Sequence, residues 1–168
     1  MRKIAIIGSP GSGKSTLARE LGSSLTLPIY HLDALLWKPN WEMTDRAEQI
    51  DIQKDILKED SWIIDGNYAG TIDLRIQAAD TIILLDFSRY RCIYQATKRV
   101  FKYRNRIRPD MQKDCPERFD LEFFRFIWNF NKHIKPKVLA KLTSLSEEKK
   151  ILHFTSKRQL DKWKSENM

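Results

Sequence analysis

The sequence predicts an α/β fold in which helices cover both faces of a parallel sheet. Two observations carry that expectation. Short apolar runs alternate along the chain with segments of helical spacing, the pattern of parallel strands joined by crossover helices. The runs are also apolar at nearly every residue rather than every second one, as strands covered on both faces are.

The elements follow in order. Lys3–Ile7 reads as a first, fully buried strand, and Ser15–Leu25 has helical spacing. Pro28–Leu32 is a second strand. Thr44 is expected to cap a polar helix running to Asp60, with Ala47, Ile50 and Leu57 at helical offsets. Trp62–Ile64 is the third strand, and Thr81–Phe87 (TIILLDF) is the clearest of all. Arg89–Arg106 and Pro116–Leu145 are helical, the second with Pro116 near its start and a kink at Pro136. Lys150–Phe154 is a last strand and Ser156–Lys164 a last helix. No repeat, low-complexity tract or Gly/Ser-rich linker divides the chain, so one domain over residues 1–168 is expected.

Composition narrows the function classes. With 168 residues, 42% of them hydrophobic and 31% charged, the chain can bury a sizeable core without disulfides or a structural metal. No apolar run approaches the roughly 20 residues of a membrane helix. A strand pattern directly after Met1 leaves no room for a secretory leader, so a cytoplasmic location without membrane association is expected. Cys92 and Cys115, and His31, His133 and His153, lack zinc or disulfide spacing, so both cysteines should be free thiols. Residues 1–87 hold nine Lys/Arg and thirteen Asp/Glu, a net −4. Residues 88–168 hold twenty-one and nine, a net +12. The partner of the second half should be anionic, a nucleotide's phosphates or those of nucleic acid.

The strongest local signal is Gly8-Ser9-Pro10-Gly11-Ser12-Gly13-Lys14-Ser15, followed by Thr16. It fits G-x-x-x-x-G-K-[ST] at every fixed position, directly after a strand pattern and opening a helix. Glycines let successive N–H groups turn inward onto phosphates, and the helix adds its positive end. Lys14 would reach the β- and γ-phosphates of ATP, and the Ser15 hydroxyl would ligate Mg²⁺.

Three aspartates follow strand-like runs: Asp33 (IYHLD), Asp65 (WIIDG) and Asp86 (IILLD). Ligands gather at the carboxyl ends of parallel strands. Phosphoryl transfer needs a carboxylate that orients Mg²⁺ and often one that accepts the acceptor's proton. Asp33 and Asp65 are the candidates for both roles, as base or metal partner. Asp86 ranks behind them, because an Asp at a strand end is also a common helix cap.

Between Arg89 and Pro109 stand eight Lys/Arg and no acid. Unpaired cations at this density repel one another, and an anionic ligand would relieve them. Arginines closing on a transferred phosphoryl group stabilise its charge. Arg99 and Arg104 lead that assignment, with Arg108 behind. The aromatic stretch Phe119–Phe130 interleaves rings with charges, as some nucleic-acid binders do, but rings at helical spacing more often face a core.

The segments GSPGSGKST, HLDALLW, WIIDGNY and AADTIILLDFSRYRCIYQATKR resemble the bacterial DNA topology modulation proteins. These are small P-loop proteins similar to adenylate kinase. The resemblance implies an adenylate-kinase-like three-layer sandwich, with a five-stranded parallel sheet in the order 2-3-1-4-5 and a helical, Arg-rich lid over 99–118. It implies ATP with Mg²⁺, held by Gly11 to Thr16. Asp65 would take the place of the Asp that opens the D-G motif of adenylate kinases, near Mg²⁺. Asp33 resembles the strand-end Asp that serves uridine and shikimate kinases as base or metal ligand. The chain departs from adenylate kinases where an Arg that holds AMP should follow D-G: Asn67 and Tyr68 stand there. Arg46 and Arg75 are candidates to substitute for it.

The leading expectation is therefore an ATP-dependent kinase acting on a small-molecule acceptor, hydroxyl-bearing or nucleotide-like. The alternative is a nucleotide-gated regulator that binds nucleic acid. The sequence fixes neither the acceptor nor the choice between monomer and dimer.

Overall fold

The computed structural model describes residues 1–104, 106–145 and 147–168. Asn105, inside the predicted helix 89–106 and the predicted lid 99–118, lies outside the described residues.

The chain runs β1 (Lys3–Gly8), α1 (Lys14–Leu25), β2 (Ile29–His31), α2 (Leu32–Leu36), β3 (Trp37–Lys38), a 3₁₀ turn at Pro39–Trp41, β4 (Glu42–Met43), α3 (Arg46–Leu57), β5 (Trp62–Asp65), α4 (Ile72–Ala78), β6 (Thr81–Leu85), α5 (Arg89–Lys102), α6 (Leu121–His133), α7 (Lys135–Ser144), β7 (Lys150–Phe154) and α8 (Lys157–Asn167). The main sheet has the order β2-β5-β1-β6-β7, and every pairing in it is parallel. Numbering only these five strands along the chain, the order is the predicted 2-3-1-4-5.

Alternation along β1 sorts the core into two layers. Ile4 and Ile6 face one side with Leu17, Leu21, Ala96, Ile127 and Leu160, from α1, α5, α6 and α8, and with Phe87 from the connection between β6 and α5. Ala5 and Ile7 face the other with Leu32, Ile56, Ile72, Val138 and Leu142, from α2, α3, α4 and α7. Burial on both faces explains why β1, β5 and β6 read as unbroken apolar runs. Part of the aromatic stretch is spent the same way. Ile127 and Phe130 are buried and Phe123 and Phe124 pack on the first layer, while Phe119, Phe126 and Trp128 remain exposed.

Several boundaries differ from the sequence reading. Asp45 rather than Thr44 caps α3, accepting from the Glu48 N–H at 2.9 Å. The Thr44 hydroxyl donates instead to the Leu36 carbonyl at 3.0 Å. The segment 116–145 is two helices: Asp120 caps α6 by accepting from Glu122 and Phe123, and Pro136 sits in the first turn of α7. Proline suits that position because its missing N–H would have no partner there, so a new helix begins where a kink was expected. Helix α2, helix α4 and the hairpin of β3 with β4 were not anticipated. The lid segment is helical only through Lys102. Beyond it the described residues form bends and turns up to Asp120. Pro109 and Pro116 remove helix donors there, and a run of like charges gives a helix no internal pairs.

Candidate active site

The loop between β1 and α1 turns at Gly11, whose φ is +77°. A side-chain carbon there would lie 2.2 Å from the Cys92 carbonyl oxygen, so both backbone conformation and close approach to α5 demand glycine. Lys14 curls back into the loop, donating to the carbonyls of Gly8 at 2.9 Å and Ser9 at 3.1 Å. Burial lowers the pKa of Lys14, and the charges of Asp65 and Asp33 oppose that shift. The half-buried lysine thus stands in the field of both candidate carboxylates.

Asp65 ends β5 at the carboxyl edge of the sheet and is buried. Its Oδ2 accepts from the Ser15 hydroxyl at 2.8 Å. Its Oδ1 lies 2.5 Å from Nδ1 of His31, the last residue of β2. Burial disfavours the charged imidazole, but the hydrogen bond and charge of Asp65 outweigh it and raise the His31 pKa. Among the described residues no group of three or more His, Cys, Asp or Glu is arranged around a metal position. The donor set at Ser15 and Asp65 still suits Mg²⁺, which takes one or two protein oxygens and completes its shell with water and phosphate.

Beyond Asp65 the chain turns through Gly66, at φ +140°, where a Cβ would meet the Leu32 side chain at 2.9 Å. Asn67 Oδ1 accepts from the Gly8 N–H at 3.2 Å and ties this turn to the phosphate loop. Tyr68 donates its hydroxyl to Asp33 Oδ1 at 2.8 Å. Burial, then the Asp33 charge, raises the Tyr68 pKa far above the ordinary phenol value, so Tyr68 stays a donor. Arg75 is only 1% exposed. It donates to the carbonyls of Gly66 (3.3 Å), Asn67 (2.9 Å) and Thr71 (3.3 Å) and to the Gln53 side chain. Burial lowers its pKa to about 10. Arg46 donates to the Gly70 carbonyl. Both arginines therefore brace the 66–71 turn, and neither lines the cleft as a substitute for the AMP-holding Arg.

Asp33 sits in the first turn of α2 with its side chain 46% exposed to the cleft. Arg108 approaches its Oδ2 at 3.9 Å. Glu117 collects the arginines: Arg99 Nε lies 3.1 Å from its Oε1 and Arg108 Nε 2.7 Å from its Oε2. Asp110 adds a contact to Arg108 at 3.4 Å. Burial and then the neighbouring Arg108 charge lower the Arg99 pKa against the pull of Glu117.

These groups share one cleft of about 890 Å³. Pro10 to Thr16, Asp33, Asp65, Tyr68, Arg99 and Arg108 line it, as do Trp37, Trp41 and Met43. Gly8 and Ser9 form the base of the loop rather than its wall. Two expected residues are not brought in. Arg104 is exposed and absent from the cleft wall; its backbone bridges to that of Glu117. Asp86 pairs with Lys135 at 2.8 Å and His153 at 3.0 Å, joining α7 and β7 to β6.

Sequence reasoning missed His31, the Asp110 and Glu117 carboxylates, and the two tryptophans. Trp37 left a usable signal, since it stands four residues after Asp33 and shares a helix face with it. Glu117 left none, because its partners lie 9 and 18 residues away through a segment without periodicity.

No family model matches the sequence, and no curated protein matches it. Solved structures do resemble the fold. One is the shikimate kinase of Bacteroides thetaiotaomicron, 14% identical, with 90% of this chain aligned to 85% of that one at a TM-score of 0.51. Another is the shikimate kinase of Aquifex aeolicus, 18% identical, covering 80% and 82% at a TM-score of 0.46. The 2-3-1-4-5 parallel sheet, the glycine loop between β1 and α1 and the first of these likenesses show an α/β sandwich with the fold of that shikimate kinase.

Proposed function

We propose that the protein is an ATP- and Mg²⁺-dependent kinase that phosphorylates a small molecule. One observation carries the reading: the half-buried Lys14 and the Ser15–Asp65 pair line the same cleft as Asp33, a half-exposed carboxylate oriented by Tyr68. The resemblance of the motif segments to the topology modulation proteins supports the same reading.

In this reading the residues from Gly11 to Thr16 wrap the ATP phosphates through backbone N–H groups and the N-terminal end of α1. Ser15 and Asp65 hold Mg²⁺, which neutralises charge on the β- and γ-phosphates. Asp33 accepts the proton of the acceptor hydroxyl. The acceptor oxygen forms a bond to the γ-phosphorus, the bond to the β–γ bridging oxygen breaks, and ADP leaves with that electron pair. Lys14, Arg99 and Arg108 face the charge that spreads over the transferred oxygens. His31 fixes the Asp65 carboxylate, and Glu117 fixes the two arginines.

The test is transfer from γ-labelled ATP with Mg²⁺ to a panel of nucleosides, nucleotides and hydroxylated metabolites. The wild type is expected to yield one labelled product that Lys14→Ala abolishes. ATP hydrolysis with no labelled acceptor across the panel would overturn the proposal.

A further inference from the structure

The reaction chemistry does not use the wall that stands beside Asp33. In α2, Leu32 and Leu36 are fully buried against the sheet. Asp33 and Trp37, also four apart, are rotated from them onto the cleft side. Trp37 pairs with Met43 across the β3–β4 hairpin, which puts the two side chains next to each other on one hairpin face. The hairpin turn carries two consecutive non-glycine residues in the left-handed region, Asn40 and Trp41, each at φ +63°. For a residue as bulky as Trp41 that conformation is an outlier and has to be held.

Thr44 anchors the hairpin base to the Leu36 carbonyl through both its N–H and its hydroxyl, each at 3.0 Å. The Asn40 N–H donates to the Asp114 carbonyl at 3.3 Å, and the Cys115 thiol lies 3.2 Å from the Lys38 carbonyl. The Trp41 ring meets Trp37 edge-on, centroids 5.6 Å apart, and the Arg118 guanidinium lies over it at 5.2 Å. The strain thus aims an indole at a cleft, between α2 and the 114–118 segment. Trp37, Trp41 and Met43 all line that cleft with Asp33, and Met43 is 45% exposed there.

Building on the kinase reading above, we propose that the acceptor is a small alcohol carrying a flat heteroaromatic ring. The ring lies against Trp37, Trp41 and Met43, and the hydroxyl is held by Asp33. Indole and thioether surfaces favour a flat ring, which they contact over its whole face. A polyol would press its hydroxyls against carbon and leave them unpaired. A phosphate as the reacting group would meet the Asp33 carboxylate, a like charge, whereas a hydroxyl gives that carboxylate its proton. The acceptor oxygen then bonds to the γ-phosphorus as the bond to ADP breaks.

Calorimetric titration tests this on the full chain, with Mg²⁺ and a non-hydrolysable ATP analogue present. The ring alcohols are uridine, adenosine and pyridoxine; the comparison alcohols are glycerol, glucose and shikimate. At least one ring alcohol is expected to bind with a Kd of about 1 mM or tighter, and the comparison alcohols are not. Trp41→Ala should weaken that binding about tenfold, the scale of a lost base–aromatic stack, and Trp41→Phe should restore most of it. Met43→Ala, at a half-exposed position, supplies a second variant if Trp41→Ala does not fold. Affinity for the ATP analogue reports separately on the reading beneath. If the wild type fails to bind the analogue, the kinase reading falls and the acceptor inference with it. If the analogue binds but no ring alcohol does, or a comparison alcohol binds instead, or neither variant weakens ring binding, the acceptor inference alone is overturned.

Discussion

In the proposed kinase site, the phosphate end and the acceptor end of the cleft are built in opposite ways. The phosphate end is mostly local: the loop from Gly8 to Gly13, Lys14 and Ser15 are contiguous, while Asp65 with its partner His31, Asn67 and Arg99 come from elsewhere. The acceptor end is assembled from distant pieces: Asp33 from α2, Tyr68 from the turn after β5, Trp37, Trp41 and Met43 from a hairpin, and Arg108 and Glu117 from an irregular segment. A phosphate is the same anion wherever it occurs, so one short loop of inward N–H groups recognises it. An acceptor has its own shape, and its site needs walls that no single segment can supply.

Substitutions can break that comparison, and the largest effect belongs to the local end. Lys14→Ala should lower transfer by about a thousandfold or more, since it removes a preorganised cation from the developing phosphate charge. Its measurement is kcat/KM for ATP, with circular dichroism confirming the fold. At the acceptor end, Asp33→Asn should cost about a hundredfold in kcat, within the range of a lost general base. Equal damage to the KM for ATP would erase the distinction between the two ends.

A smaller effect separates positioning from chemistry. Glu117→Gln removes the charge that gathers Arg99 and Arg108. It should cost roughly 3 kcal/mol of stability, as loss of a buried ion-pair partner does, and about tenfold in kcat. Thermal unfolding and steady-state kinetics read the two separately. Arg104→Ala should change neither by more than about twofold, because its side chain lies on the surface outside the cleft.

A modest effect, on stability alone, lies far from the cleft. Asp80 Oδ2 accepts from the backbone N–H groups of Arg2 at 2.7 Å and Lys3 at 2.9 Å, joining the starts of β1 and β6. Partial burial works against its charge, but hydrogen bonds from Thr81, Arg2 and Lys3 outweigh that and lower its pKa. A lowered carboxylate pKa gives stability that is present above the unfolded value, near pH 4, and is lost as pH falls through the folded one. Asp80→Ala should therefore cost about 1 kcal/mol at neutral pH, an exposed hydrogen bond's worth after solvent screening. The difference from wild type should shrink below pH 4 in denaturant titrations.

The same contrast decides what could be read from the sequence. The strand positions, the Lys14 loop and the Asp65 position were legible because each depends on nearby residues: an apolar run, a glycine spacing, an Asp at a strand end; the sheet order came from the family resemblance alone. Thr44 was taken for a cap because capping is a local rule, yet the Leu36 carbonyl draws its hydroxyl away. The resemblance implies a helical lid over 99–118. Its fold depends instead on Glu117 returning to Arg99 and Arg108, and on the Asp114 and Cys115 contacts to the hairpin. Arg75 looked like an anion holder because a buried arginine and a ligand-binding one are the same letter. Only the carbonyls of Gly66, Asn67 and Thr71 show which it is.

The most direct test of the account follows label from γ-labelled ATP, at varied ATP and fixed acceptor panel, in wild type and Asp33→Asn. Wild type is expected to give a labelled small-molecule product, lost about a hundredfold in kcat in Asp33→Asn, with the KM for ATP within about twofold of wild type. Label appearing only as inorganic phosphate, at the same rate from both proteins, would contradict it.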